Sequence, residues 1–526
     1  MLFTNPLFLF VFLPAACLFF FLFARLSRNA AIAALLIASL ICYLPWGVWP
    51  AALLIGSITL NFVIGMLLAA PWAITNARGR NALYLGGQSF NFGVLIWFKY
   101  QLIQLILHGA SSPAQTFVMA AIPAGISFYT FHQAAFLADA RDRETTVSEL
   151  MSAVGSVRGF FASYVRYAAF VTFFPQLVIG PITYFREFYP QVERNTFGKP
   201  RRIDFDVGLT LIAIGLFKKL VIADNLEPLA TSVFSAAEMG AALGMGTAWG
   251  GAFAYYFQLY FDFSGYSDVA LGLARLVGIR YPMNFFSPLK AVGIIDFYRR
   301  WHMTLTRVIV RFVYTPLSLS GTRMATRQRL PKSVRRGLSI WLPLLINFEI
   351  IALWHGAHST FILFGIIHGL WFVAETEARG TKAFKSWRRE SPDWLRTLLG
   401  RAIFVGPMVL TFALFRAESL DGYQRLLSVM FGLDAEGLFF RATLVDRFAL
   451  LMAALIVYLA PNSMQLLRNY RPGIYTFTEH RGDPGPSWLR WLKWQPDWRW
   501  AMFAGTAMLV ALYFTSRQTP FLYQGF

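Results

Sequence analysis

The sequence predicts an all-α, polytopic membrane protein that forms a single domain over residues 1–526. Of these residues, 56% are hydrophobic and only 14% are charged, whereas soluble domains carry about 25% charged residues. Apolar runs recur from residue 7 to residue 514 without the polar linkers that separate soluble domains. We therefore expect about 11 transmembrane helices, together with some re-entrant or partial helices.

Each expected helix corresponds to an apolar segment, because about 20 apolar residues in helical conformation span a bilayer. Several segments are shorter than a full span, which is typical of re-entrant or buried helices. The segments are residues 7–24, 30–44, 48–70, 83–107, 160–179, 207–223, 248–263, 339–353, 360–374, 402–415, 448–460 and 501–514.

The net charge of +20 comes from 47 Lys and Arg residues against 27 Asp and Glu residues. In a soluble protein such an excess would suggest a nucleic-acid partner. In a membrane protein, basic residues instead collect in cytoplasmic loops. We expect no nucleic-acid partner, but contacts with membrane lipids, and part of the charge can attract an anionic ligand.

Basic residues also predict the orientation. Arg25 and Arg28 directly follow the first apolar segment, which lacks the features of a cleaved signal peptide, so we expect the N-terminus outside the cytosol. Residues 323–336 and 382–401 are basic and should both face the cytosol. The two apolar segments between them then form a hairpin, with His355 at its turn or in a break between two half-helices.

Polar side chains in apolar segments are costly, so they are candidates for function. The first cluster has two open interpretations: a hydrogen-bonded seam that joins helices, or the lining of a substrate cavity. Its members within residues 256–268 are Gln258, Tyr260, Asp262, Ser264, Tyr266 and Asp268.

A second cluster covers residues 295–302, where charged residues alternate with aromatic ones. Helical spacing allows Asp296 to pair with Arg299 or Arg300. An interfacial helix with snorkelling arginines would explain these residues, but it explains His302, which follows Trp301, less well.

The third cluster contains three of the seven histidines, within residues 353–368. His368 lies inside an apolar run and fits a hydrogen-bonded packing role. His355 follows Trp354, which can form the wall of an acyl or sugar site, and precedes a glycine that permits close approach. Because imidazole can take a proton from a hydroxyl near neutral pH, His355 is the main catalytic candidate.

Other chemistries have weaker support. His355 and His358 flank a turn without an acidic neighbour, so we expect no metal site. Cys17 and Cys42 lie in apolar segments and are expected to be packing residues. The sequence contains no G-x-S-x-G, Walker or G-x-G-x-x-G motif, so neither a serine nucleophile nor an ATP-driven pump is predicted.

Short blocks along nearly the whole chain match a known family. They are residues 122–131 (IPAGISFYTF), 173–181 (FFPQLVIGP), 215–225 (GLFKKLVIADN), 261–268 (FDFSGYSD), 296–302 (DFYRRWH), 354–357 (WHGA), 415–420 (FRAESL) and 521–526 (FLYQGF). Each block is weak alone. In this order they resemble the membrane-bound O-acyltransferase (MBOAT) family, and most closely its bacterial, alginate O-acetyltransferase-like branch.

The resemblance implies a funnel-shaped helical fold with a thin centre. His355 matches the catalytic histidine of the family, and His302 matches a second polar position that other branches fill with Asn or Asp. In this branch the membrane subunit takes an acetyl group from a cytoplasmic donor, expected to be acetyl-CoA, with no tightly bound cofactor. It passes the group across the bacterial inner membrane to a periplasmic acetyltransferase partner, or towards a polysaccharide such as alginate or cellulose.

The resemblance and the clusters together give a set of expected substrate-binding residues. They are Trp354, Asp296, Arg299, Arg300, Trp301, Tyr260, Asp262, Ser264 and Tyr266. Residues 323–336, with Arg299 and Arg300, are expected to attract the phosphates of CoA. The chain departs from the family pattern at Val310-Arg311 and at Ser359, which leaves the acceptor and partner open.

Two other functions remain open at this level. One is a D-alanyl transferase of the teichoic-acid type, with a carrier-protein thioester as donor. The other is a non-enzymatic transporter of an acyl or glycan intermediate, in which intramembrane polar residues line a pathway. Paired interrupted helices in two similar halves would favour a transporter, and the sequence has no such symmetry.

Overall fold

The computed structural model describes residues 3–522 except 73, 75, 108–122, 484, 486, 490–491, 518 and 520. Within these residues all regular elements are helical, and the only extended pairing is an isolated bridge between Pro282 and Ile474. The all-α prediction is thus confirmed for the described part of the chain. Parts of blocks 122–131 and 521–526 lie outside it.

In the described part of the chain, five helical stretches are long and apolar enough to cross a membrane. They are Arg28–Trp46, Val48–Ala69, Lys332–His355, Ser359–Gly380 and Asp393–Arg416. They agree with a membrane-embedded protein, while the expected total of about 11 spans stays a prediction.

The N-terminal half contains helices of very different lengths. They are a π-helix Phe8–Phe12, α1 Leu13–Ala24, α2 Arg28–Tyr43, α3 Val48–Ala69, α4 Ala77–Leu107, α5 Ile126–Arg141, α6 Thr145–Ser152, α7 Val157–Thr172, α8 Phe174–Leu177, α9 Phe185–Val192, α10 Arg202–Leu216, a π-helix Phe217–Ala223, and α11 Asp224–Met239.

The C-terminal half begins with the longest helix described. The helices are α12 Met245–Leu276, α13 Ile294–Tyr298, α14 Met303–Ile309, a π-helix Val310–Tyr314, α15 Thr315–Arg327, α16 Lys332–Arg336, a π-helix Gly337–Trp341, α17 Leu342–His355, α18 Ser359–Gly380, α19 Lys382–Glu390, α20 Asp393–Arg416, α21 Leu420–Met430, α22 Leu444–Leu459, α23 Ser463–Leu466 and α24 Trp498–Tyr513. Short 3₁₀ turns are Leu44–Trp46, Ala153–Gly155, Pro288–Lys290, Arg468–Tyr470, Thr478–His480, Ser487–Leu489 and Phe514–Arg517.

Helix α12 is the centre of the fold. Its 32 residues are almost all buried, so the predicted short span at residues 248–263 is wrong in length. The helix continues through the polar residues to Leu276 because those side chains find partners on neighbouring helices, as described below. Polar residues within an apolar run therefore did not mark a helix end.

Helices α10 and α12 approach each other closely through glycines. A Cβ atom added at Gly265 would lie 2.7 Å from the carbonyl oxygen of Gly215, and one added at Gly215 would lie 2.5 Å from the carbonyl oxygen of Gly265. Gly208 and Gly272 form a second reciprocal pair about two helical turns away. A Cβ atom added at Gly208 would lie 2.9 Å from the carbonyl oxygen of Gly272, and one added at Gly272 would lie 2.6 Å from that of Gly208. Small residues permit this backbone-to-backbone packing, as is common between membrane helices.

Candidate active site

His355 is the last residue of α17, and α18 begins only four residues later. The predicted hairpin turn at His355 is confirmed. The glycine that follows is needed for packing, since a Cβ atom at Gly356 would lie 3.0 Å from the ring of Phe361. The His355 ring also contacts Phe415 of α20 edge-to-face, with centroids 4.9 Å apart. The turn thus holds a buried imidazole between aromatic rings.

His302 is the N-cap residue of α14 and adopts a left-handed conformation, with φ of 43°. This conformation is strained for a non-glycine residue, so the surrounding contacts must hold it. The side chain of Asn284 does so. Its Oδ1 lies 3.1 Å from Nδ1 of His302 and accepts hydrogen bonds from the hydroxyl and amide of Thr304, at 2.9 and 3.4 Å.

The contacts of Asn284 determine the tautomer of His302. Two donors of Thr304 converge on one Asn284 atom, which identifies that atom as the carbonyl oxygen. A carbonyl oxygen can only accept, so Nδ1 of His302 must carry the proton. In the neutral ring Nε2 is then a hydrogen-bond acceptor and the basic nitrogen.

Both histidines line one cavity, with an empty volume of about 490 Å³ including its opening. The cavity is formed by residues from α12, α13, α14, α17, α18 and α20. They are Leu259, Phe297, Tyr298, Trp301, His302, Leu305, Thr306, Ile351, His355, Phe364, Phe412 and Phe415. Histidines that are 53 residues apart in the sequence therefore meet at a site whose other walls are largely aromatic and aliphatic.

Trp354 forms part of the surroundings of both rings. Its ring centroid lies 6.2 Å from that of His302 and 4.7 Å from that of His355. Its backbone carbonyl accepts a hydrogen bond from Nζ of Lys99, which also lies 4.9 Å from the indole centroid.

Lys99, on α4, was missed by the sequence analysis. An ammonium group at the C-terminal end of α17 stabilises carbonyl groups that the helix leaves without partners. The signal was available, because Lys99 is a single charge within the apolar segment 83–107. Its partner, however, is 255 residues away in the sequence.

His368 has the packing role that was predicted for it. Its Nδ1 is 2.7 Å from the hydroxyl of Tyr298, and its ring stacks on Phe364 at 3.9 Å. Because Tyr298 and Phe364 both line the cavity, His368 supports its wall from behind.

The charged residues before His302 do not line this cavity. Arg300 pairs with Asp296 at 2.8 Å, as helical spacing predicts, and Arg299 lies 3.6 Å from Glu479. Of the predicted residues in this segment, Trp301 and His302 reach the cavity. The ion pair instead supports the short helix α13 and the turn that carries His302.

The polar side chains of the cluster on α12 have different surroundings and do not line one common site. Asp262 is paired with buried Lys219 at 2.6 Å, and Lys219 also pairs with Asp224 at 2.8 Å. Tyr266 packs between Phe3 and Phe521. The seam interpretation therefore holds for Asp262, while Tyr266 is a packing residue in this structure.

Tyr260 and Ser264 line a smaller cavity of about 290 Å³, distinct from the histidine cavity. Asp268 also lines it, and this carboxylate pairs with Lys218 at 2.6 Å and accepts a hydrogen bond from Ser463 at 2.8 Å. Asn284 also lines this second cavity, and its side chain contacts His302 of the histidine cavity. Asn284 therefore lies between the two cavities.

The site lies in a region of the chain that matches a known protein family. The profile of the MBOAT, membrane-bound O-acyltransferase family, matches residues 120–394, a range that includes both histidines and every helix between them. This chain belongs to the membrane-bound O-acyltransferase family. As a member of the MBOAT family, the protein is an O-acyltransferase that is embedded in a membrane.

The relatives of this MBOAT protein include bacterial proteins named for the O-acetylation of polysaccharides. It is 34% identical over 456 residues to a Helicobacter pylori peptidoglycan O-acetyltransferase, covering 83% of this chain and 81% of that protein. It is 33% identical over 439 residues to a Pseudomonas aeruginosa protein named a probable alginate O-acetylase, AlgI, covering 82% and 75%. A teichoic acid D-alanyltransferase of Streptococcus thermophilus is more distant, at 27% over 307 residues, covering 55% and 67%.

Proposed function

We propose that this MBOAT protein transfers an acetyl group from a cytoplasmic thioester, acetyl-CoA, for the O-acetylation of an exported polysaccharide. The observation that carries the proposal is the cavity in which His302 and His355 meet between aromatic walls. The names of the relatives at 34% and 33% identity support acetyl as the group and a cell-wall or exported polymer as the acceptor.

In the proposed reaction, His355 is the general base. Its imidazole accepts the proton of an acceptor hydroxyl while the hydroxyl oxygen attacks the thioester carbonyl. The tetrahedral intermediate collapses, the carbon–sulfur bond breaks, and the departing CoA thiolate takes the proton from the imidazolium. The products are an O-acetyl ester and CoA, and His355 is again neutral. Apolar cavity walls make a lasting imidazolium costly, which favours this rapid return of the proton.

For His302 the tautomer favours an orienting role. Since Nδ1–H donates to Asn284, the neutral ring offers Nε2 only as an acceptor and cannot stabilise an oxyanion by donation. His302 would instead accept a hydrogen bond from the N–H of the His355 imidazole and so orient that ring. Trp301, which lines the cavity, would form a wall around the acetyl group, and Trp354 would pack beside the two histidine rings.

The immediate acceptor is proposed to be a periplasmic acetyltransferase partner, or the polymer itself, such as peptidoglycan, alginate or cellulose. One departure from the family pattern has a structural explanation. Arg311 pairs with buried Asp139 on α5 at 2.6 Å, so it stabilises helix packing near the site.

The proposal is tested with the purified protein in nanodiscs, offered acetyl-CoA that carries a labelled acetyl group. We expect release of CoA and labelled ester on a polysaccharide acceptor or on a co-reconstituted partner. Failure to use acetyl-CoA, together with turnover of a D-alanyl thioester on a carrier protein, would favour the teichoic-acid alternative. The mass of the group added to the polymer distinguishes the two.

A further inference from the structure

A third, larger cavity lies outside the histidine cavity and is strongly basic. It has an empty volume of about 1300 Å³ including its open mouth, and it lies between α9, the segment after α12, and residues 468–482. We call it the arginine groove. Its lining residues are Arg186, Glu187, Pro190, Gln191, Arg194, Arg280, Arg468, Arg471, Gly473, Ile474, Tyr475, Thr478, Arg481 and Gly482.

Most of this positive charge is not neutralised by the protein. Among the described residues, no carboxylate lies within 4.0 Å of the guanidinium groups of Arg194, Arg280, Arg471 or Arg481. The one acidic lining residue, Glu187, is already paired with Arg307 of α14. Clustered like charges repel each other, so a bound anion would stabilise this arrangement.

The environment of Arg280 shows the same repulsion. Burial lowers the pKa of its guanidinium, Asp204 raises it, and Arg194 and Arg471 of the groove lower it. Arg280 is therefore close enough to two other groove arginines to be repelled by them, and a bound anion would reduce this repulsion.

The groove is a built feature, not a loose surface patch. Its outer wall is attached to the segment after α12, because the amide of Ile474 donates to Tyr281 at 2.7 Å and the amide of Met283 donates to Ile474 at 3.0 Å. Arg471 adopts a left-handed conformation with φ of 48°, which the surrounding contacts must maintain. The wall thus fixes the backbone that carries Arg471 at the edge of the groove.

One loop segment connects the arginine groove to the proposed active site. The segment that carries Arg280 continues to Asn284, which holds His302. On the outer wall, His480 stacks on Phe286 at 4.4 Å and its Nε2 lies 3.1 Å from the carbonyl oxygen of Arg299, three residues before His302.

Helix α14 connects the two cavities from the other side. Its residues Leu305 and Thr306 line the histidine cavity, and its Arg307 contacts Glu187 in the groove. A ligand in the groove therefore lies one helix or one loop away from the reacting centre.

The groove faces the side that the charge pattern predicts to be cytosolic. Arg194 of the groove directly follows Glu193, which pairs with Arg28 at 2.8 Å. Arg28 follows the first apolar segment, on the side that the charge pattern predicts to be cytosolic. The groove therefore lies at the same end of the molecule as Arg28.

We infer that the arginine groove binds the phosphorylated nucleotide end of the thioester donor, an adenosine diphosphate with a further phosphate on its ribose. Guanidinium groups bind phosphates in bidentate geometry, and several arginines match several phosphates. Tyr475 offers an aromatic face for a base. This inference rests on the proposed acetyl-CoA reaction and assigns the phosphates to a site different from the one that the sequence suggested.

The suggested site, residues 323–336, fits the phosphates less well. Arg323 and Arg327 are exposed on α15 and line none of the cavities described above. They provide positive charge but no enclosure, which is the usual result of cytoplasmic charge bias alone. They therefore serve as a matched control.

The test measures binding of free CoA to the full-length protein in phosphatidylcholine nanodiscs. We expect the double variant Arg471→Gln/Arg481→Gln to raise the Kd for CoA by about tenfold or more, because charged hydrogen bonds to phosphate are lost. The variant Arg323→Gln/Arg327→Gln removes the same charge elsewhere and should change Kd less than about threefold. Equal Kd values for the groove variant and the parent protein would overturn the inference.

Turnover of S-acetylpantetheine, which lacks the nucleotide, controls for folding. The groove variant should use it at the rate of the parent protein while losing rate with acetyl-CoA. Equal losses with both substrates would contradict a nucleotide site. If the parent protein binds CoA in the groove but transfers no acetyl group, the proposed function fails and the site stands.

A last experiment distinguishes the nucleotide from a lipid headgroup as the ligand of the groove, since both carry phosphates. Cardiolipin is added to the nanodiscs at fixed CoA concentration. If the groove belongs to the nucleotide, CoA binding should persist in cardiolipin nanodiscs. Complete displacement of CoA by cardiolipin in the parent protein, but not in the groove variant, would assign the groove to the lipid and overturn the inference.

Discussion

Asn284 has more influence on the site than its place in the sequence indicates. It fixes the proton of His302 on Nδ1, and its backbone carbonyl accepts from Met303 at 3.0 Å, so it also positions the start of α14. An amide between two cavities therefore determines which nitrogen of His302 is basic. No sequence block included Asn284, because a single Asn before a Phe-Phe pair has no distinctive pattern.

Replacement of Asn284 tests this role at the scale of one residue. We expect Asn284→Leu to lower kcat for acetyl transfer by roughly 10- to 100-fold, because His302 loses its tautomer and orientation. The KM for acetyl-CoA should change little. Ser267→Ala is the matched control, since Ser267 lies 3.5 Å from the other end of the Asn284 amide. An unchanged kcat in Asn284→Leu, with acetyl transfer still dependent on His302, would contradict the role.

At the scale of the element, helix α12 illustrates what hydropathy can and cannot predict. The apolar half of α12 was found, but its extension to Leu276 was not. The extension depends on Lys218 and Lys219, which neutralise Asp268 and Asp262 from the neighbouring π-helix. The paired residues are 50 and 43 positions apart in the sequence. A local hydropathy average therefore includes the cost of burying each carboxylate but not the ion pair that offsets it.

The contact between α10 and α12 gives a prediction for stability. Gly265→Ala should lower the Tm, at a cost of about 1–3 kcal/mol, because the new Cβ atom would clash with the carbonyl oxygen of Gly215. Gly86→Ala on α4 is the control, because a Cβ atom there meets nothing within 4 Å. It should leave the Tm unchanged or raise it, since Ala favours helix by about 1 kcal/mol. Thermal unfolding in detergent measures both, and equal Tm values would refute the close approach.

At the scale of the whole molecule, the sequence predicted the helical membrane class, the hairpin turn at His355 and the family. It did not predict that the charged residues 296–300 lie outside the histidine cavity or that Lys99 contacts Trp354. Pairings of this kind depend on tertiary distance, whereas spacing along one helix predicts only local pairs such as Asp296–Arg300.

Orientation is the whole-molecule property that charge bias predicts most directly. With Cys17 and Cys42 replaced by Ala, we expect a cysteine at exposed Asn5 to react with an impermeant maleimide from the periplasmic side. A cysteine at exposed Ala383 should react only from the cytosolic side, because basic residues 382–401 surround it. Labelling of both positions from one side of oriented inner-membrane vesicles would contradict the proposed topology.

The central claim is that His355 performs the acid–base chemistry of acetyl transfer. The direct measurement compares His355→Gln with His368→Gln, a buried histidine of the same hairpin that supports Tyr298 from behind the cavity. Both variants should be first shown to have a Tm close to that of the parent protein. We predict that His355→Gln lowers the rate of acetyl transfer from acetyl-CoA by about 10²- to 10⁴-fold, while His368→Gln stays within about tenfold of the parent rate. Acetyl transfer by His355→Gln at the rate of the parent protein would contradict the claim.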